Sequence, residues 1–431
     1  MKICVIGTGY VGLTTGVCLA ESGFDVTCID KDVNKIRQLN EGEVPFHEPG
    51  LDSLLKKVMV GKKIKFSNKI ESAIRSNDII FIAVGTPSME DGSADLAAVF
   101  EVAKSIKKNL NAFKILVIKS TVPVGTNKKV AAILAGRGGK SKTRFAVISN
   151  PEFLRQGKAL ADYKNPHRIV IGGTNQRAID VIMKVYAGCH CPLIVTSPEN
   201  AEIIKYASNS FLAMKISYIN EVANICERYN ADIREVAAGM GLDPRIGDRF
   251  LEAGIGFGGS CFPKDMKALV HFADLVDYDF KLLKAALAVN ERQKLLPVEK
   301  LKKNLGSLRG RTIGLLGLSF KADTDDIREA SSIALINCLL GEKVKVRVTD
   351  PRAEKNMKRL FPEINYFDSP YEMADGCDGL ILITEWPEYS ALDFKRIKPK
   401  LKKPLLIDGR NLFDPKTMKK LGFIYEGIGR N

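Results

Sequence analysis

Apolar runs alternate with helical patterns throughout the first half of the chain. The runs are ICVIG (3–7), FDVTCID (24–30), IKF (64–66), DIIFIAVGTP (78–87), ILVIKSTVP (115–123), FAVISNPEF (145–153) and IVIGG (169–173). Strands that are apolar on both faces are typical of a parallel sheet with helices on either side. The pattern therefore predicts a parallel α/β domain over residues 1–196.

The pattern becomes helical after residue 196. Ser197, Pro198 and Glu199 supply an N-cap, a proline in the first turn and an early acid, which together indicate a helix start. From there to Arg228 no glycine or proline interrupts, and apolar residues recur near helical spacing. A helix of roughly 30 residues exceeds the usual globular length, so we expect it to connect domains or form a dimer interface.

A second alternating unit follows a further helical stretch near residues 281–304. Its apolar runs are TIGLLGLSF (312–320), VKVRVTDP (344–351), GLILIT (379–384) and PLLIDGRN (404–411). This unit repeats the architecture of the first but has no glycine-rich motif. With 431 residues, several domains are expected. The predicted boundaries are 1–196, 197–305 for a central helical domain, and 306–431.

A G-x-G-x-x-G motif, made of Gly7, Gly9 and Gly12, connects the first strand to the first helix. Such glycines let the backbone approach a pyrophosphate, which the helix N-terminus binds through its free N–H groups. Asp30 ends the next strand, where an acid binds a ribose diol and repels a 2′-phosphate. The motif predicts NAD in preference to NADP, and the neighbouring Lys31 is the feature that favours NADP.

The segment GFGGSCFPKD (256–265) predicts an activated cysteine. Its glycines form a tight turn, and Pro263 is expected to begin a helix whose N-terminus lies beside Cys261. That helix end and the cation of Lys264 both favour the thiolate, and Asp265 shares a helix face with Cys261. The alternative is a buried thiol beside a glycine turn, which is our interpretation of the other eight cysteines.

A reactive cysteine together with a nicotinamide cofactor indicates a particular reaction, the oxidation of an aldehyde. Oxidation of an alcohol needs no covalent nucleophile, whereas oxidation of an aldehyde proceeds through a thiohemiacetal and a thioester that water cleaves. The combination predicts an acid as the final product.

Three further polar residues are candidates for the same chemistry. Lys205 and Asn209 share one face of the long predicted helix, and solvated surface residues are an equally good interpretation of that spacing. Glu152 follows a strand and is expected at the ligand edge of the sheet.

Composition limits the classes of binding partner and the cellular compartment that are expected for this chain. The net charge of +15 favours anionic partners, either nucleic acid or phosphate-bearing ligands, but no nucleic-acid motif is present. The basic run at 395–403 is interpreted as a solvated surface. Nine scattered cysteines, no secretion leader and no long apolar run predict a cytoplasmic protein with reduced thiols and no membrane partner. Cys189, His190 and Cys191 lack a second ligand pair, so no metal is expected.

In sequence order, these motifs resemble the UDP-glucose/GDP-mannose dehydrogenase family over essentially the whole chain. The matching segments are GTGYVGL (7–13), VGTP (84–87), STVPVGT (120–126), NPEFL (150–154), Lys205 with Asn209, GFGGSCFPKD (256–265), the stretch 319–324 and DGRN (408–411). The resemblance implies an α/β fold with two Rossmann-like parallel-sheet domains, joined by a long central helix and a helical dimerisation core. It also implies a four-electron oxidation by two successive NAD molecules, with a homodimer or larger homo-oligomer as the assembly.

The resemblance assigns roles to matching positions. Catalytic roles are implied for Cys261, Lys205, Asn209, Asp265, Glu152 and Thr121. NAD contacts are implied for Gly7, Gly9, Tyr10, Val11, Gly12, Asp30, Lys35, Thr86, Thr121, Lys264 and Arg328. Substrate contacts are implied for Glu152, Phe153, Leu154, Lys205, Asn209, Arg245, Phe250, Leu251, Glu252, Ala253, Gly254, Gly258 and Lys321.

The sequence details favour one substrate and leave named alternatives. The sequences of the long helix and the cysteine segment resemble those of the family members that oxidise UDP-glucose. GDP-mannose and UDP-N-acetylhexosamines are the alternative substrates. Gln156 stands where many members have an acid. Other readings of the chain are a two-electron hydroxy-acid dehydrogenase, a non-catalytic NAD-binding sensing or assembly module, and a nucleic-acid binder suggested by charge alone.

Overall fold

The computed structural model describes residues 1–136 and 145–430. These residues form two compact units. The first contains residues 1–136, 145–208 and 267–278, and the second contains residues 209–266 and 279–430. The three predicted domain boundaries stay a prediction.

The first unit is built on an eight-stranded sheet. Its elements are β1 Lys2–Ile6, α1 Tyr10–Glu21, β2 Asp25–Ile29, α2 Val33–Asn40, α3 Leu51–Val60, β3 Ile64–Ser67, α4 Ile70–Ser76, β4 Ile79–Ile82, α5 Ala97–Asn109, β5 Lys114–Ile118, α6 Thr126–Ala135, β6 Phe145–Ser149, α7 Ala159–Lys164, β7 Ile169–Gly172, α8 Gln176–Val185 and β8 Leu193–Thr196. Two longer helices, α9 Pro198–Tyr229 and α11 Phe262–Asp274, contribute residues to both units.

The strand order in this sheet is β3-β2-β1-β4-β5-β6-β7-β8. Neighbouring strands from β3 to β6 are parallel, as predicted, and so are β7 and β8. However, β7 pairs antiparallel with β6, through Ser149 and Gly172. The apolar pattern does not distinguish these directions, because a strand buried on both faces has the same composition in either orientation.

Alternate residues of the central strands pack on opposite faces of the sheet. Ile3 and Val5 belong to one hydrophobic core cluster, and Cys4 and Ile6 belong to another. This is the two-residue period of a strand covered by helices on both sides. Burial raises the pKa of the Cys4 thiol to about 12, so this cysteine is a core residue rather than a nucleophile.

The second unit has a six-stranded parallel sheet with the order β11-β10-β9-β12-β13-β14. Its elements are α10 Ile233–Gly241, α12 Lys281–Leu305, β9 Thr312–Leu316, α13 Ser331–Gly341, β10 Lys345–Thr349, α14 Glu354–Met357, β11 Asn365–Tyr366, α15 Pro370–Met373, β12 Gly379–Leu382, α16 Pro387–Ser390, α17 Phe394–Ile397, a 3₁₀ turn at Lys398–Lys400, β13 Leu405–Asp408, α18 Pro415–Lys420 and β14 Ile424–Glu426. The short edge strands β11 and β14 were not predicted.

The turn after β9 repeats the backbone of the turn after β1. Gly317 has φ +99°, as Gly7 does, and each glycine N–H donates to a carbonyl of the adjacent strand. Asp350, which follows β10, accepts from the N–H groups of Leu318 and Ser319 at 2.6 and 3.1 Å. Asp350 is buried and also accepts from the indole N–H of Trp386 at 3.1 Å.

The predicted α/β class with two parallel-sheet units and a long central helix is confirmed. Helix α9 spans 32 residues, within one residue of each predicted end. Within the described ranges, no helix is both long and apolar enough to cross a membrane.

Candidate active site

The turn between β1 and α1 can accept only glycine at two of its three motif positions. A Cβ on Gly7 would lie 2.5 Å from the Ala83 carbonyl oxygen, and one on Gly12 would lie 1.9 Å from the Gly7 oxygen. A Cβ on Gly9 would meet no described atom within 4 Å. Gly9 is also the N-cap of α1 and makes no side-chain cap, so the first N–H groups of this helix face an open side suited to a phosphate.

Asp30 stands at the carboxyl end of β2 and is bound to this turn. Its Oδ2 accepts from the Thr8 N–H at 2.9 Å and the Thr8 hydroxyl at 2.8 Å, and its Oδ1 accepts from the Asp32 N–H at 3.0 Å. Burial opposes the charged form, but these hydrogen bonds and the nearby Lys35 outweigh it, so the pKa of Asp30 is lowered. The carboxylate is half-buried and charged, as binding of a ribose diol requires.

These residues fit NAD. The two crowded glycines hold the turn, the open side at Gly9 admits a pyrophosphate, and Asp30 offers a charged acceptor. Tyr10 and Val11 are the first residues of α1, and Lys35 lies on α2 beside Asp30.

A second group of the first unit lies at the ends of β4, β5 and β6. The Thr86 hydroxyl donates to the Thr121 carbonyl oxygen at 2.8 Å, which joins two predicted loops. Thr121 and Lys205 line one small cavity, together with Ser120, Ser149, Pro151 and Glu202.

Lys205 and Glu152 form a buried ion pair in this group. Lys205 Nζ donates to Glu152 Oε1 at 3.1 Å, and the two side chains are 4% and 5% exposed. The other Glu152 oxygen accepts from the Leu154 N–H. The solvated-surface interpretation of Lys205 is therefore wrong, because a cation is buried here only where an acid compensates it.

Phe153 presents its ring to two cations. The guanidinium carbon of Arg168 lies 3.7 Å from the ring centroid, and Lys205 Nζ lies 5.3 Å from it. Arg168 also donates to the Ser208 hydroxyl at 3.1 Å. Arg168 was not predicted, since one arginine in the loop before β7 carries no pattern of its own.

Sequence reasoning also missed several buried polar residues of the first unit. Lys119 is buried and donates to Asn150 Oδ1 at 3.1 Å, and Tyr186 donates to the same oxygen at 2.5 Å. Burial lowers the pKa of Lys119 to about 8. A lysine directly after an apolar strand was the available signal.

Glu202 is a second missed residue, one turn before Lys205 on α9. It is buried, and its two oxygens accept from the N–H groups of Gly125 and Asn127 at 2.7 and 2.8 Å. Glu202 therefore ties α9 to the start of α6. Burial raises its pKa to about 7.

In the second unit, Cys261 is the N-cap of α11. Its carbonyl oxygen accepts the first helical hydrogen bond, from the Asp265 N–H at 2.8 Å. The thiol is half-buried, and its sulfur lies 3.7 Å from the Ser260 hydroxyl. Each of the nine cysteines is a thiol rather than half of a disulfide. The N-terminus of a helix is a position that favours the thiolate form of a cysteine.

Asp265 is fully buried and shared between two donors. Asn209 Nδ2 donates to its Oδ2 at 2.6 Å, and Lys264 Nζ donates to its Oδ1 at 2.5 Å. The surface interpretation of Asn209 is therefore also wrong. These bonds hold a charged carboxylate four residues from Cys261, on the helix that Cys261 caps.

The backbone segment that precedes Cys261 is held by hydrogen bonds along its length. Ile255 N–H donates to the Gly409 oxygen at 3.0 Å, and Arg410 donates to the Gly256 oxygen at 3.1 Å. Gly259 N–H donates to the Arg328 oxygen at 2.8 Å. A Cβ on Gly258 would lie 2.3 Å from the Glu329 oxygen, so this turn packs directly on the segment after β9.

The remaining predicted residues of the second unit vary in exposure. Leu251, Ala253 and Gly254 are buried, Glu252 is exposed, and Phe250 has an unusual φ of +65°. Lys321 Nζ lies 5.5 Å from the Phe320 ring centroid. The Arg328 guanidinium binds Asp326, with its side chain 55% exposed. Arg245 binds Asp243 and is 87% exposed.

The predicted residues thus fall into separate groups. The first unit holds the glycine turn with Asp30 and Lys35, and it also holds the cluster of Thr86, Thr121, Glu152 and Lys205. The second unit holds Cys261, Asn209, Lys264 and Asp265. In the described part of the chain, no group of three or more His, Cys, Asp or Glu side chains is suited to a metal ion.

The chain matches three family models along its length. They are the NAD binding domain of the UDP-glucose/GDP-mannose dehydrogenase family at residues 1–190, its central domain at 199–292 and its UDP binding domain at 314–415.

Individual relatives are similar over nearly their full length. UDP-glucose 6-dehydrogenase TuaD of Bacillus subtilis (strain 168) is 48% identical, over 100% of this chain and 93% of that protein. A UDP-glucose 6-dehydrogenase of Rhizobium meliloti (strain 1021) is 45% identical over 100% of both chains. The structure of a UDP-glucose dehydrogenase from the archaeon Pyrobaculum islandicum superposes with a TM-score of 0.93, at 38% identity, over 100% of this chain and 98% of that chain.

These matches confirm the predicted resemblance, the NAD cofactor and the assignment as an NAD-dependent dehydrogenase. The chain belongs to the UDP-glucose/GDP-mannose dehydrogenase family.

Proposed function

We propose that this chain oxidises UDP-glucose to UDP-glucuronate, using two NAD molecules in succession. The observation that carries the proposal is Cys261 at the N-terminus of α11, followed by a buried carboxylate that Asn209 and Lys264 hold. A thiol in this position is needed for oxidation beyond the aldehyde, to the acid. The names of the similar proteins support UDP-glucose as the sugar nucleotide.

Cys261 supplies the covalent step. When bound, NAD accepts one hydride in each of the two oxidations. The Cys261 sulfur bonds to the carbonyl carbon of the aldehyde and gives a thiohemiacetal, whose oxidation leaves a thioester. Water then cleaves the C–S bond, so the sugar leaves as a carboxylate and the free thiol returns.

Asp265 is suited to the hydrolytic step. Each of its oxygens accepts one hydrogen bond, from Asn209 or from Lys264, and keeps a lone pair for a further donor. A water molecule bound to that lone pair would have a fixed orientation and a proton acceptor beside it. The buried position keeps the carboxylate from turning away.

Lys205 is suited to stabilise negative oxygen during the oxidations. Its ammonium group has Glu152 as partner, and it lines a cavity together with Thr121. A positive charge with little access to water stabilises a developing oxyanion more strongly than a solvated one does.

Contacts to the uridine diphosphate are assigned to Lys321 and to the backbone at Phe153 and Leu154. The segment Phe250–Gly254 is assigned as the substrate loop, and Gly258 as a further substrate contact. The match to a UDP binding domain at residues 314–415 supports the assignment of Lys321. Arg328, in the same range, is assigned to NAD with Lys35, Thr86 and Lys264.

The proposed assembly is a homodimer formed through the second-unit part of α9. Phe211, Tyr218 and Ile225 recur every seven residues and are 62%, 59% and 54% exposed. An exposed apolar stripe of this kind is typical of a surface that another helix covers. Arg245 is exposed and would extend from the same unit toward the second copy.

The proposal is tested by the number of NADH molecules formed per UDP-glucose in the native chain and in Cys261→Ser. Two NADH per substrate and loss of turnover in the variant are expected. Turnover of GDP-mannose or a UDP-N-acetylhexosamine, but not of UDP-glucose, would keep the chemistry and change the substrate. One NADH per substrate, unaffected by the substitution, would contradict the thioester route. Absence of turnover with every sugar nucleotide would favour a non-catalytic NAD-binding module.

A further inference from the structure

Amide side chains of α9 and α12 hold the backbone segment that precedes Cys261. Gly254 N–H donates to Asn220 Oδ1, and the Gly254 oxygen accepts from Gln293 Nε2, both at 2.9 Å. Phe257 N–H donates to Asn290 Oδ1 at 2.8 Å, and the Phe257 oxygen accepts from Asn290 Nδ2 at 3.1 Å. Asn290 thus binds both polar groups of one backbone residue.

The position of Asn290 leaves its amide little freedom. The residue is 1% exposed, and a Cβ on Gly256 would lie 2.6 Å from Asn290 Oδ1. A rotated amide would set its NH₂ group against the Phe257 N–H and its oxygen against the Phe257 carbonyl. Two buried hydrogen bonds would be lost together, so one orientation of the Asn290 amide is strongly favoured.

Phe257 connects Asn290 to the residue next to Cys261. Its ring packs against the ring of Phe262 in an edge-to-face contact, with centroids 5.8 Å apart. Phe262 is the first residue of α11 and directly follows Cys261. Three contacts therefore connect Asn290 to the residue that caps the helix.

We infer that Asn290 is a positioning residue, which holds Cys261 at the N-terminus of α11 through Phe257 and Phe262. The inference rests on the proposed function in one respect, that Cys261 is the nucleophile. A displacement of about 1 Å is enough to slow a reaction by roughly 100-fold. Glycines at 254, 256, 258 and 259 offer no side chains to pack, so the hydrogen bonds from Asn290 supplement the packing of Ile255 and Phe257.

The test compares Asn290→Asp with Gln293→Leu in the full chain. Asn290→Asp keeps an acceptor for the Phe257 N–H but removes the donor to its carbonyl. Gln293 is the matched control, since it is equally buried at 1% exposure and binds the same segment three residues earlier. The readouts are the rate of Cys261 alkylation by iodoacetamide against pH, located by peptide mass analysis, together with kcat, KM and thermal stability.

Asn290→Asp is expected to slow Cys261 alkylation and to lower kcat by roughly 10- to 100-fold, with a smaller change in the KM for UDP-glucose. Gln293→Leu is expected to be less stable, but its Cys261 should be alkylated at close to the native rate. Phe257→Leu removes the ring contact while Asn290 is intact, and should reproduce the slower alkylation even if Asn290→Asp does not fold.

Native alkylation rates in folded Asn290→Asp and in Phe257→Leu would overturn the inference, and so would equal losses in the Asn290 and Gln293 variants. Alkylation needs no turnover, so this failure is distinct from a failure of the proposed function. The latter would appear as unchanged turnover in Cys261→Ser.

Discussion

Gly9 and Gly12 lie three residues apart in one turn, but a methyl group on each would meet different surroundings. At Gly12 it would strike the Gly7 carbonyl at 1.9 Å, whereas at Gly9 it would point into open space. The first glycine therefore serves the ligand, and the second serves the packing of the turn itself.

Gly9→Ala is expected to weaken NAD binding at least about tenfold, with no loss of thermal stability. Gly12→Ala should weaken NAD binding and also lower the free energy of unfolding by roughly 1–3 kcal/mol, because backbone must move. Titration calorimetry with NAD and thermal unfolding without it measure the two effects. A destabilised Gly9→Ala variant would contradict this division of roles.

Lys119 makes a pH-dependent contribution to stability. Its pKa is about 8 in the folded chain, below the ordinary value of 10.5, because burial disfavours the ammonium form. Between these two values the unfolded chain binds more protons than the folded chain. The free energy of unfolding from this residue therefore rises as pH rises from about 8 to 10.5.

The native chain is expected to gain stability relative to Lys119→Met over this range, by on the order of 3 kcal/mol. Urea unfolding at a series of pH values measures the difference. Lys108→Met, at an exposed position on α5, is the control and should track the native chain. Parallel stability curves for the native chain and Lys119→Met would show that the lysine does not titrate in this way.

Among the elements, α9 buries several polar side chains and leaves several apolar side chains exposed. Lys205, Asn209 and Asn220 are buried and bonded, while Phe211, Tyr218 and Ile225 are exposed. The buried side also carries apolar residues, among them Ala213 and Ile219, so α9 is unusual only in its exposed apolar residues and its buried polar ones. The exposed apolar residues are those of the proposed dimer surface.

Tyr218→Lys is expected to convert the proposed dimer to monomers, because a charge at the centre of the stripe would have to be buried without a partner. Light scattering after size-exclusion chromatography measures the mass. Val60→Lys, which changes an equally apolar and 85% exposed residue at the end of α3, should leave the mass unchanged. A native chain that elutes as a monomer would contradict the proposed interface.

Two kinds of element were predictable to different degrees. Helix α9 was predicted closely because its start carries cap residues and its interior carries no glycine or proline. The direction of β7 and the edge strands β8, β11 and β14 were not, because direction and edge pairing depend on distant backbone rather than on local composition.

At the scale of the whole molecule, both sheets were predicted because each alternating run is long and apolar. The site residues were predictable where a motif marks them, as at Gly7, Asp30 and Cys261. Asn290 and Glu202 were not, because each is one polar residue in a helix. Their importance comes from partners far away along the chain, Phe257 for Asn290 and Gly125 for Glu202.

The repeated turn after β9 shows how two copies of one backbone design can have different ligand capacities. Asp30 accepts from Thr8 and Asp32, whereas Asp350 accepts from Leu318, Ser319, Trp386, Arg352 and Ala353. Both oxygens of the Asp350 carboxylate already accept hydrogen bonds from the protein, so this carboxylate is not available to bind a ribose hydroxyl. Asp350 instead connects the turn after β9 to the end of β10 through these hydrogen bonds. Asp30 Oδ1 accepts one hydrogen bond and can accept another from a ligand, whereas each Asp350 oxygen already accepts at least two.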